Sequence, residues 1–211
     1  MVERIPELIV TGGPVAFVLV GLSIAATTLT LFKAWQFLSL GVGRHRGLKE
    51  TVEQLAAGSV PVEQLTAGRT LPASPAARVL RHAAQNLPRF AGNIEAARED
   101  ASRVALEELL ELRRYLRGIE VIAQSSPLLG LLGTVVGMIQ AFSKLEASGA
   151  AVNPAQLAGG IWTALVSTAL GLILAIVFSI VGAWFEGRVD RERSVMETAL
   201  SGLFANSERR R

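Results

Sequence analysis

The chain has 211 residues, of which 50% are hydrophobic and 18% charged, with a mean hydropathy of +0.40 and a formal net charge of +3. It contains no cysteine and only two histidines, His45 and His82, which excludes disulfides and thiolate sites and leaves too few ligands for a metal cage without carboxylate help. Twelve of the 21 Lys and Arg residues fall between Arg44 and Arg117 and six lie from Arg188 onward, so charge and hydropathy are segregated as in a membrane protein, not spread as on a nucleic-acid-binding surface.

Residues 1–13 form a short outer segment carrying Glu3, Arg4 and Glu7. Pro14 to Phe32 carries no charge and predicts a first spanning helix over 14–40. A bilayer core of ~30 Å takes about 20 helical residues, and only a helix satisfies its own backbone in lipid. The stretch is too long for a secretory hydrophobic region and lacks a basic cluster before it, so it reads as a signal anchor. Pro14 suits a first helical turn. Lys33 is placed to snorkel at the inner end, with Trp35 and Phe37 as interfacial anchors.

Residues 41–120 read as a cytoplasmic helical region. Val52 to Gly58 recurs as Val62 to Gly68, which predicts two short glycine-stopped helices and suggests no function. Ser59 to Pro61 and Ser74-Pro75 read as helix starts, a cap residue with proline just inside. Ile94, Ala97, Ala101, Val104, Ala105, Leu109, Leu112, Leu116 and Ile119 recur at helical spacing, and neither glycine nor proline interrupts before Gly118. The expectation is one helix running directly into the second span, 121–143. An outer loop, 144–156, precedes a third span, 157–185. A helix over 186–211 continues it through Val189, Met196, Leu200 and Leu203. The basic blocks place 41–120 and the C-terminus inside, and the N-terminus and the loop outside. Both amphipathic extensions need partners, within one subunit or between subunits. The predicted class is an all-α integral membrane protein with three transmembrane helices and long cytoplasmic helical extensions.

The spans contain no Asp, Glu, His or Arg, and Lys33 stands only near the inner end of the first. No catalytic residue, metal ligand or cofactor site is therefore expected, and no self-contained proton relay. What recurs is small and hydroxyl residues. Gly130, Gly133, Thr134 and Gly137 cluster in the second span, where Gly133 and Gly137 form a small-xxx-small pair that permits close helix approach. Ala164, Thr168, Gly171, Ala175, Ser179 and Gly182 form a stripe in the third, with Thr163 and Ser167 beside it. Thr134 and Thr168 each lie two residues outward of their span centres, near Leu132 and Leu170, and so ~3 Å outside the midplane at ~1.5 Å per residue. Two hydroxyls at one depth can line a shared polar path. Each can equally bond the preceding turn of its own helix.

The run Ser125 to Ile139, with Pro127, Gly130, Gly133, Thr134 and Gly137, resembles the signature of the MotA/TolQ/ExbB proton-channel family. Gly160 to Leu172 resembles the matching segment of the family's next helix. Three spans fit the ExbB/TolQ branch better than the four-span flagellar stators. The resemblance implies a ring, by family habit a pentamer, around ExbD/TolR-like single-span partners that each supply an intramembrane Asp. It implies that ion flow past that Asp drives mechanical work. It identifies Thr134 and Thr168 as pore-facing; by spacing, Thr163 and Ser167 are further pore-lining candidates, and Gly130, Gly133, Gly137 and Gly171 are helix-packing positions. Thr163 stands where many relatives carry Glu, which leaves proton and sodium both open. The competing readings are a non-conducting scaffold that docks a partner through its cytoplasmic helices, and a secondary transporter. The latter is disfavoured because three spans offer no inverted repeat.

Overall fold

The computed structural model describes residues 13–44, 48, 50, 73–90, 93–147 and 154–209. Residues 1–12 of the outer segment, the internal repeat, the helix start at Ser59 to Pro61, His45 and residues 148–153 of the outer loop lie outside them. Every regular element among the described residues is helical: α1 (Gly13–Ser39), α2 (Pro75–Asn86), a short 3-10 turn (Leu87–Phe90), α3 (Ile94–Arg113), α4 (Leu116–Ala147) and α5 (Pro154–Arg209). Three of these are long and apolar enough to cross a membrane, over Gly13–Ser39, Leu116–Glu146 and Leu157–Glu208. The protein is an all-α membrane protein, and the helix of the third span continues as one 56-residue element past Phe185, as its apolar spacing predicts.

Two compact units divide the chain: Met1–Phe32 with Tyr115–Ala183, and Lys33–Arg114 with Trp184–Arg211. In the first unit the usual size rule is relaxed: Leu19, Ile119 and Phe178 are buried, but many large side chains are not. Small side chains are buried, among them Ala16, Ala26, Ala123, Ser126, Ala164 and Ser167. Large ones point out, such as Leu128 and Ile180 at 69% and 66% exposure. In lipid no hydrophobic penalty attaches to an outward leucine, and helices associate by close contact instead. Pro127 lies inside α4 and removes one backbone donor. Beside it, Ser126 Oγ donates to the Ile122 carbonyl at 2.6 Å.

The second unit is built like a water-soluble helical domain. Ser74 caps α2, its hydroxyl accepting from the Ala77 amide at 3.3 Å, with Pro75 in the first turn. Asn93 caps α3, accepting from Ala96 N–H at 3.1 Å. Val79 and Leu80 of α2 and Ala97 and Ala101 of α3 pack with Met196, Leu200, Leu203 and Phe204 of α5 in one apolar core. The amphipathic stripes thus find partners within the subunit. Arg78 and Glu108 form a two-bond fork across α2 and α3, at 2.9 and 2.5 Å. His82 and Asp100 add a second tie at 2.9 Å.

Two sequence expectations are corrected here. The helix beginning at Ile94 does not run into the second span: it ends at Arg113, and Tyr115 takes a left-handed backbone, φ +70°. That conformation costs an L-residue roughly 1–2 kcal/mol, and it is met by contacts to Tyr115 from distant and nearby chain. The Tyr115 ring meets Phe32 edge to face, centroids 5.6 Å apart, and the Gly118 amide donates to the Tyr115 carbonyl at 3.1 Å. Lys33, read as snorkelling, is fully buried. Its ammonium donates to the Gln36 side-chain oxygen and to the Arg114 carbonyl, both at 2.8 Å, and lies 5.2 Å from the Phe37 ring centroid. A buried ammonium is tolerated because oxygens replace the lost water, and it caps a carbonyl that the helix end would otherwise strand.

Candidate ion-path surface on the spanning helices

The first unit brings the second and third spans together along a ladder of small residues. A Cβ placed on Gly130 would meet the Ser167 carbonyl oxygen and the Thr168 Cα at 3.0 Å and the Gly171 Cα at 3.3 Å. One on Gly171 would meet the Ser126 carbonyl oxygen at 2.5 Å and the Gly130 Cα at 3.0 Å. Gly133 faces the Ser167 side chain, Gly137 faces Ala164 at 3.2 Å, and Gly160 faces Ala141. Residue numbers rise along α4 as they fall along α5, so the two helices are antiparallel neighbours whose backbones touch. Glycine is required because the obstacles at Gly130 and Gly171 are backbone atoms that no rotamer change can move.

The hydroxyls divide between this seam and its open flank. Ser167 is fully buried in the seam, donating to the Ala164 carbonyl at 2.7 Å and lying 3.3 Å from the Gly130 carbonyl. Thr168 Oγ1 crosses to α4 and donates to the Gly130 carbonyl at 2.9 Å. Thr163 donates to Gly159 in its own helix at 3.0 Å, and its methyl lies 3.8 Å from where a Cβ on Gly13 would stand. Thr134 also bonds its own helix, the Leu131 carbonyl at 2.7 Å, but it lines an open groove of about 600 Å³ with Val135, Met138, Phe142 and Glu146.

The common chemistry is a committed proton. Each of these four hydroxyls gives its hydrogen to a backbone carbonyl, and at the three that are not enclosed in the seam the oxygen keeps lone pairs to accept with. Such an oxygen can solvate a cation and has nothing to offer an anion. The apolar stretches themselves hold no ionisable group: no Asp, Glu, His, Lys or Arg occurs between Pro14 and Phe32, Val121 and Ser143, or Pro154 and Phe185. Among the described residues no group of three or more His, Asp or Glu side chains could hold a metal ion.

Residue spacing alone put Ser167 and Thr168 side by side without revealing that Ser167 is enclosed, Thr168 bridges helices and Thr134 lines a groove. That distinction depends on which face of α5 meets α4. Glu146 was absent from the sequence reading as a groove residue. Its signal was present, since Thr134, Met138, Phe142 and Glu146 follow one another at four-residue spacing.

Comparison with known proteins supplies the lineage. The MotA/TolQ/ExbB proton channel family matches residues 72–198, more than half of the chain and all of the seam. The chain is 33% identical over 124 residues to a biopolymer transport protein ExbB homolog of Methanothermobacter thermautotrophicus, spanning 42% of that protein's length. It is 34% identical over 173 residues to ExbB-like 3 of Synechocystis sp., covering 78% of this chain and 77% of that one. Against the biopolymer transport protein ExbB of Aquifex aeolicus it is 36% identical over 106 residues, half of this chain and 69% of the relative. With its second and third spans and the glycine–hydroxyl seam inside the matched region, this chain belongs to the MotA/TolQ/ExbB proton channel family.

Proposed function

We propose that the chain is the ring-forming ion-path subunit of a motor in the bacterial inner membrane. In this reading it assembles as a homo-oligomer, a pentamer by family resemblance, in a lipid bilayer with its C-terminus in the cytoplasm. The ring surrounds an ExbD/TolR-like single-span partner that carries an intramembrane Asp. Proton flow, or sodium flow, past that Asp drives mechanical work on the partner. Thr134 and Thr168 form the polar track, Thr163 and Ser167 adjoin it, and Gly130, Gly133, Gly137 and Gly171 set the helix spacing.

The observation that carries this reading is the pairing of acceptor-ready hydroxyls with the lack of any titratable group in the uncharged spans. A dehydrated cation in hydrocarbon is expensive, and threonine does not titrate at physiological pH. The exchangeable negative site must come from another chain, so the ring is track and the partner's Asp is carrier. One charge crossing releases about 2.3 kcal/mol per 100 mV, enough to bias a two-state helix arrangement.

The test is proton flux into proteoliposomes under an imposed potential, for the ring alone, with its partner, and with the partner's Asp changed to Asn. Flux is expected only for the intact pair. Thr134→Val in the ring keeps the shape, removes the hydroxyl and is expected to reduce flux at least tenfold at unchanged abundance. Selective flux through the ring alone would overturn the borrowed carboxylate.

A further inference from the structure

The groove that holds Thr134 does not end in apolar residues. It runs along α4 past Met138 and Phe142 to Ser143 and Glu146. Glu146 is exposed, is the one charged residue lining that groove, and makes no ion pair among the described residues. Lys144, the nearest charge in sequence, is two residues away, and side chains at that spacing do not face each other on a helix.

We propose that Glu146 is the cation-gathering carboxylate at the outer mouth of the ion path, a residue that sets how fast cations enter the Thr134 groove. The proposal rests on the function proposed above, which makes that groove part of the path. Twelve residues separate Thr134 from Glu146, or ~18 Å along the helix at ~1.5 Å per residue. With Thr134 ~3 Å outside the midplane, Glu146 stands ~21 Å out, beyond the ~15 Å half-thickness of the hydrocarbon. An exposed carboxylate there stays in contact with water, and it costs the fold nothing. It is too far from Thr134 to pass an ion to it directly. Its effect is a field at the entrance, repeated once per subunit around the ring. A converging negative field raises local cation concentration and entry rate by about tenfold or more, and added salt screens it.

That salt dependence separates a field from a structural role. The complex, purified with its partner, is reconstituted in proteoliposomes, and proton flux is read with an internal pH dye at roughly 10 mM and roughly 0.5 M ionic strength, where screening lengths are ~30 Å and a few ångströms. Glu146→Gln is expected to lower flux 3- to 10-fold at low ionic strength and to match the unmodified complex at high. Glu146→Lys should lower it further, and Glu146→Asp should restore it. Flux through Glu146→Gln equal to that of the unmodified complex at low ionic strength would overturn the proposal. Equal impairment at both strengths would do so too, since it indicates a packing role. Thr134→Val run in parallel distinguishes the two claims. If it is fully active while Glu146→Gln keeps its salt-dependent loss, the hydroxyl track fails and the mouth stands; if it is inactive while Glu146→Gln is unaffected, the mouth fails and the track stands.

Discussion

The two units of this chain are both bundles of helices, yet they are held by opposite devices. In the membrane unit the closest helix contacts are made by glycine, alanine and serine, and many bulky side chains face outward, although Leu19, Ile119 and Phe178 are buried. In the other unit the contact surfaces are Leu80, Leu112, Met196, Leu203 and Phe204, and the outward face carries charged pairs such as Arg103–Glu107 and Arg193–Glu197. The same α5 contributes to both: Ala164, Ser167 and Gly171 near one end, Met196, Leu203 and Phe204 near the other. The change of solvent explains the change of residue. Water rewards removal of apolar area, about 25 cal/mol per Å², so large side chains go inside. Lipid offers no such reward, so contact depends on how closely backbones approach.

If that contrast is right, the membrane unit should fail on enlargement and the other on truncation. The largest effect is expected from Gly171→Leu. A side chain there collides with the Ser126 carbonyl and the Gly130 backbone, neither of which can yield unless the helices separate. Overpacking of ordinary cores costs about 1–3 kcal/mol, and more where only backbone could move. Loss of the assembled complex on size exclusion is expected. Gly182→Ala, where nothing lies within 4 Å, is the matched control and should assemble normally. Equal behaviour of the two would show that the seam is not a close-packed contact.

Next in size is Phe204→Ala in the second unit. Phe204 is 1% exposed, packed in the core and covered by the Arg98 guanidinium 5.4 Å from its centroid. Truncating a buried phenylalanine costs about 3–5 kcal/mol. Amide exchange in α2 and α3 should accelerate on the order of 10²- to 10³-fold if those helices open with this core. Unchanged exchange would mean that the core is held by something other than apolar burial.

How much of this was legible depends on whether the cause was local. The three spans were readable because uncharged runs of sufficient length have one solution in lipid. Ser74-Pro75 was readable as a helix start because cap and proline act within one turn. The break at Arg114–Tyr115 was not, since neither residue is a breaker and the compensation for it is distant. Lys33, 81 residues away, supplies the bond to the Arg114 carbonyl. For the same reason Lys33 was misplaced: a lysine at a helix end snorkels unless an acceptor waits for it, and the acceptor was created by a break the sequence does not announce. At the site, counting residues could only set an expected depth for the hydroxyls. Their division into seam and groove required knowing which helix faces meet.

The smallest effect belongs to the charged ties of the second unit, and it shows how little that unit owes to them. Asp100 accepts from His82 at 2.9 Å and from Arg103 at 3.1 Å, while the Asn86 amide nitrogen lies against the His82 ring, 3.1 Å from Nε2 and 3.3 Å from Nδ1. The His82 hydrogen bond, and then the Arg103 one, hold the Asp100 carboxyl below its usual range. A carboxylate whose pKa is lowered by folding contributes stability above its unfolded value, about 3.9. That contribution is lost as pH falls through roughly 4 toward the lowered folded value, so nothing should change between pH 8 and pH 5 on account of this group. The Asp100 side chain keeps 24% of its surface in solvent and Arg103 keeps 59%, so the contribution is screened to the range of exposed pairs, about a few tenths of a kcal/mol to 1 kcal/mol. Asp100→Asn should therefore shift α2 and α3 exchange only a few-fold at pH 7, far less than Phe204→Ala. It should also flatten part of the stability decline below pH 4. If Asp100→Asn destabilised the unit as much as Phe204→Ala, the division drawn between apolar core and polar surface would be wrong. The tie between α2 and α3 would then be electrostatic in a region where water should have weakened it.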